Sequence, residues 1–177
     1  MLERLGVPFT VRAADVQEIE HGDPAQVVVE NARRKASAVR DPGAREAVLG
    51  CDTVVVLPGA IYGKPADEHA AGEMLRSLSD RTHEVLSGLV LLLPAGDSAD
   101  RADERTAVAR TEVSFRLLED ELLAWYLATG EWRGRAGGYA IQGAGAALVR
   151  AVTGDYENVV GLPLASLLDL YPQLLTG

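Results

Sequence analysis

Apolar positions along residues 24–39 recur at helical spacing: Val28, Ala32, Ala36 and Val39 mark one face of an amphipathic helix. Asp23-Pro24 just ahead supplies an N-cap and a first-turn proline. The pattern then changes. "AVLGCDTVVVL" (47–57) is short and β-branched, which predicts a buried strand, and Pro58-Gly59 turns it into a hairpin. After Asp67, the spacing of Ala70, Ala71, Met74, Leu75 and Leu78 predicts a second helix. "THEVLSGLVLLL" (82–93) and "RTAVARTEVSF" (105–115) read as two strands of a hairpin joined by the polar loop "PAGDSADRADE" (94–104).

Further along, "LEDELLAWYLATG" (118–130) predicts a helix stopped by Gly130. Glycine-rich "RAGGYAIQGAGAALVRAV" (135–152) reads as loop and strand, and "LPLASLLDLYPQLL" (162–175) as a closing helix. At the other end, "MLERLG" has the look of a helix end stopped by Gly6, and "VPFTVRAADV" (7–16) alternates as a strand. No repeat or linker breaks the chain. The prediction is one α/β domain over residues 1–177, a mixed twisted sheet flanked by helices.

Composition narrows the function classes. The chain is 47% hydrophobic and 24% charged, enough to bury a core. A net charge of −9 argues against non-specific binding to nucleic acid or an anionic membrane. The longest apolar run is too short to span a bilayer, and no secretory signal is evident. One cysteine, Cys51, excludes an internal disulfide framework and suits a cytoplasmic setting. The cations are unevenly chosen: 15 arginines but only two lysines, Lys35 and Lys64. Against that bias, each lysine is a candidate for a position needing a compact, flexible ammonium.

Five stretches carry the chemistry: "GCDTVVV", "GKPAD", "LSDRTHEVLSG", "GGYAIQG" and "GDYENVVGLPL". With "ARRKA" and "TEVSFRLL", and in this order, they resemble the Maf proteins, nucleoside triphosphate pyrophosphatases. The resemblance runs from about Leu5 to Leu164. It implies a Maf-like fold with two lobes about a central cleft, and hydrolysis of a nucleotide between its α- and β-phosphates. Such chemistry needs a divalent cation, Mg²⁺ or Mn²⁺, a positioned water, and cations for the leaving group.

Residue by residue, the resemblance makes Asp52 the catalytic carboxylate, as metal ligand, proton acceptor or both. Glu18 becomes a second metal ligand, while Lys35 and Lys64 fall on the two phosphate-binding lysines. Thr53 and Gln142 address the base. The glutamine amide offers a donor and an acceptor, suited to a uracil or thymine edge, and the Thr/Gln pairing resembles the branch acting on dTTP and UTP. A homodimer is also implied. His83 is expected to satisfy a strand-end hydrogen bond, and Cys51 to pack as a small apolar residue.

The match has two departures. The family opens with a strand and a Ser-x-Ser-Pro-Arg-Arg loop, whereas this chain starts at "MLERLG", inside the helix that follows. Either the gene start is assigned too far downstream, or that edge of the site is lost. In "EWRGRAGG", Trp132, Gly134 and Arg135 stand where the family carries a proline, an aspartate and a lysine. The competing reading is accordingly a nucleotide-binding regulatory relative without turnover.

Overall fold

The computed structural model describes residues 1–41, 46–94 and 103–176. Within these residues five strands form one sheet in the order β2-β1-β3-β4-β5: β1 (Val48–Leu57), β2 (Ala60–Tyr62), β3 (Thr82–Leu92), β4 (Glu104–Phe115) and β5 (Val149–Thr153). Among the described residues five α-helices accompany them: α1 (Pro24–Val39), α2 (Glu68–Leu78), α3 (Asp120–Thr129), α4 (Tyr156–Val160) and α5 (Leu164–Leu170). The α/β class expected from the sequence is the one observed.

The expected mixed pairing is not: each described pair is antiparallel. Register explains this. Glu84, near the start of β3, pairs with Val56 near the end of β1. The β2–α2 excursion therefore returns the chain to the end of β1 it had just left, and β3 must run the other way. The loop expected between β3 and β4 falls largely on 95–102, outside the described residues.

Helix starts follow the sequence signals. Asp23 Oδ1 accepts from the Gln26 N–H at 3.0 Å, and Asp67 Oδ1 from the Ala70 N–H at 2.8 Å. Both caps stand where the chain supplies aspartate just before an apolar stripe. The closing helix is shorter than expected, because Pro172 follows Tyr171 and restarts the chain as a 3₁₀ turn over Pro172–Leu175. The strand expected at 7–16 is absent. Alternation is only half of what a strand requires; the other half is a partner edge, and Phe9 and Val11 lie exposed.

The sheet separates two apolar layers. On one face α1 lays Val28 against Val54 and Leu86, and Ala32 and Ala36 against Val90 and Leu92. On the other, α2 and α3 bury Leu75, Leu78, Leu123 and Tyr126 with Val55, Val85, Val113 and Phe115. The α1 layer is unusually close. A Cβ at Gly50 of β1 would collide with the Ala32 carbonyl, and one at Gly88 of β3 would stand 2.5 Å from the Val28 carbonyl. Two glycines thus let the helix backbone rest directly on the sheet backbone.

Candidate active site

β2 covers only Val55–Leu57 of β1, so the edge around Cys51–Val54 has no strand partner among the described residues. A cavity of about 580 Å³ opens there. Successive β1 side chains leave by opposite faces. Asp52 turns toward α1, and Thr53 toward the opposite layer, where its Oγ1 lies 2.7 Å from Ser87 Oγ on β3. Because the edge is open, both residues line one cavity.

Asp52 is buried, and both its oxygens are held from α1. Lys35 Nζ reaches Oδ1 at 2.5 Å, and Asn31 Nδ2 donates to Oδ2 at 3.1 Å. Lys35 also meets Glu18 Oε1 at 2.8 Å, and the same oxygen accepts from Lys64 Nζ at 3.2 Å. Both lysines therefore converge on one carboxylate. Burial pulls the Lys35 ammonium down, but its hydrogen bonds to Asp52 and Glu18 outweigh this and hold it above the ordinary lysine value. Burial pushes the Glu18 carboxyl up, and Lys35 and Lys64 more than reverse this, leaving it below the usual carboxylate range. Both shifts favour the charged forms, so the Lys35 ammonium faces a Glu18 carboxylate at neutral pH.

The far wall comes from the glycine-rich segment. Gln142 lines the cavity from it, exposed, with Tyr139 and Ile141 buried beside it. Glu131 ties this wall down: its Oε2 accepts from the Ala144 N–H at 2.7 Å. At the departure from the family pattern, Trp132 is buried and donates from Nε1 to the Leu127 carbonyl at 3.1 Å. Gly134 and Arg135 reach the cavity, so this wall carries an arginine.

The structure thus places Lys35, Asp52, Thr53, Lys64 and Gln142 on one cavity, with Glu18 joined to both lysines. Sequence reasoning missed Asn31, Ser87 and Glu131. Asn31 had a signal, since it is a polar residue beside the apolar stripe of α1, four positions before Lys35. Ser87 and Glu131 had none, because their partners are remote in sequence. His83, at the second position of β3, is buried with Nε2 at 2.9 Å from Tyr139 Oη. Cys51 Sγ lies 3.2 Å from the Gly161 carbonyl, and burial pushes its thiol up to about 12, which leaves it unreactive.

Among the described residues no group of three or more His, Cys, Asp and Glu side chains gathers as a self-sufficient metal cage. Glu18 and Asp52 nonetheless offer oxygen donors around a single cationic point, now the Lys35 ammonium. That donor set fits a hard divalent ion, which takes one or two carboxylates and completes its shell with water and substrate phosphate.

Comparison with known proteins places the chain as a whole. The chain is 45% identical over 177 residues to a dTTP/UTP pyrophosphatase of Symbiobacterium thermophilum, covering 98% of this chain and 87% of that protein. A protein of the same description from Pyrococcus furiosus is 41% identical over 162 residues, covering 90% and 82%. One from Deinococcus radiodurans is 40% identical over 171 residues, covering 96% and 84%. The family profile described as Maf-like protein matches residues 1–174, and the chain belongs to that family.

Proposed function

We propose that this protein is a nucleoside triphosphate pyrophosphatase acting on dTTP and UTP. Water cleaves the α–β anhydride, releasing the nucleoside monophosphate and pyrophosphate. The observation that carries this reading is the meeting of Lys35 and Lys64 on Glu18, beside the buried Asp52, in a chain otherwise poor in lysine. A volume near 580 Å³ lies within the range of about 300–1,000 Å³ common for small-molecule sites.

In this reading Asp52 orients the attacking water and accepts its proton, held in place by the Asn31 amide once Lys35 turns to phosphate. Lys35 and Lys64 exchange their carboxylate partners for phosphate oxygens, which compact ammonium groups on flexible stems can track. Thr53, braced by Ser87, and Gln142 read the pyrimidine edge from the cavity lining. Glu18 and Asp52 would hold Mg²⁺ or Mn²⁺, which gathers phosphate oxygens and neutralises their charge.

The single cysteine supports a cytoplasmic setting, and the resemblance to Maf proteins implies a homodimer. No helix among the described residues is long and apolar enough to cross a membrane. Purified protein incubated with UTP or dTTP and Mg²⁺ or Mn²⁺ tests the activity. Equimolar monophosphate and pyrophosphate is the expected outcome. Binding without turnover would favour a regulatory protein, and orthophosphate as first product a phosphatase.

A further inference from the structure

Asn31 is a polar side chain on the buried side of α1, 1% exposed. Its amide makes three hydrogen bonds. Oδ1 accepts from the Ile19 N–H at 2.7 Å, while Nδ2 donates to the Ile19 carbonyl at 3.0 Å and to Asp52 Oδ2 at 3.1 Å. The amide orientation is dictated by these partners: turned over, it would set an NH₂ against the Ile19 N–H and its oxygen against a carboxylate. Both Nδ2 hydrogens are used.

Ile19 directly follows Glu18, in a stretch (residues 7–20) that forms neither helix nor strand. No ladder fixes the height of Glu18 above the sheet. Asn31 bonds both polar groups of the neighbouring backbone unit and one oxygen of Asp52 through a single rigid amide. Lys35, one helical turn later, takes the other Asp52 oxygen and Glu18 itself.

We propose that Asn31 is a positioning residue that sets Glu18 and Asp52 in register for the reaction. It touches neither substrate nor the reacting atoms and acts through the two carboxylates. The inference rests on the pyrophosphatase reading of the site. It differs from a packing role in that it needs the amide and not merely the volume.

The test compares Asn31→Ala with Asn31→Leu, which refills the space with an apolar group favourable to helix. In both variants kcat for UTP falls roughly 10- to 100-fold, as for loss of a group that orients functional ligands. The dissociation constant of an α,β-imido UTP analogue stays within about threefold. Hydrogen exchange at the Ile19 amide accelerates by roughly tenfold or more, because its acceptor is gone. Recovery of kcat to within about threefold in Asn31→Leu, or unchanged Ile19 exchange in both variants, overturns the proposal. If the unaltered protein releases no pyrophosphate, the assigned activity falls instead, and Ile19 exchange still decides whether Asn31 holds the two segments.

Discussion

The Lys35 ammonium stands 2.5 Å from Asp52 Oδ1, bringing a helix residue and a strand residue together at an open sheet edge. In the proposed mechanism Asp52 has two tasks, pairing with Lys35 in the resting site and serving the water during reaction. Asp52→Asn is therefore expected to lower kcat by roughly 10²–10⁴-fold, the range for loss of a general base. Lys35 keeps Glu18, so the cost in stability stays near ~2 kcal/mol. Pyrophosphate release and a denaturant melt on the same sample check both; near-normal turnover would refute the assignment.

Lys64 is the more exposed of the two lysines, at 54% for its side chain, and its only ion pair among the described residues is a 3.2 Å contact with Glu18. Such pairs contribute about 0–1 kcal/mol to folding. Lys64→Ala should leave the melting temperature nearly unchanged while raising KM for UTP roughly tenfold, through one lost charge-assisted phosphate contact. Steady-state kinetics over a range of UTP concentrations reads this directly.

Replacing the Gln142 amide by a carboxylate removes its donor and leaves only acceptors. Gln142→Glu is expected to weaken UTP and dTTP roughly tenfold or more, with little change in melting, because the residue is exposed on the cavity wall. Equal losses for purine and pyrimidine triphosphates would remove Gln142 from base recognition.

His83 gives the fold an acid-side slope. Burial lowers its imidazole to about 4, against 6.5 when free. Above pH 6.5 the ring is neutral in both states and costs nothing. As pH falls from 6.5 toward 4, the unfolded chain takes up a proton that the fold refuses, so stability drops by at most ~1.4 kcal/mol per pH unit. Urea midpoints from pH 7.5 to 4 should show this decline, and His83→Leu should flatten it. An unchanged slope in the variant would assign the effect to other groups.

Local signals were legible where local chemistry decides the structure. Asp23 and Asp67 cap the helices expected of them, and the Pro58-Gly59 turn joins β1 to β2. Lys35 and Lys64 stood out because the chain otherwise chooses arginine. What stayed hidden depends on partners far along the chain. Residues 7–16 alternate like a strand yet pair with none, and the register of Glu84 with Val56, which makes the sheet antiparallel, has no signature in either segment. The short helix α4 went unseen because five residues carry too little periodicity. The likeness to Maf proteins pointed to individual residues but could not indicate that an open stretch of the β1 edge brings Asp52 and Thr53, on opposite faces, to one cavity.

Gly50 and Gly88 bear on more than packing. Because they let α1 touch the backbone of β1 and β3, they determine how far Asn31 and Lys35 stand from Asp52. One added methyl would act as a shim, forcing the helix away by more at Gly50 than at Gly88 and loosening every bond that aligns the carboxylate. Catalytic tolerance in this protein is therefore inherited from interlayer thickness, and efforts to rigidify the scaffold belong on its outer surfaces, away from that seam.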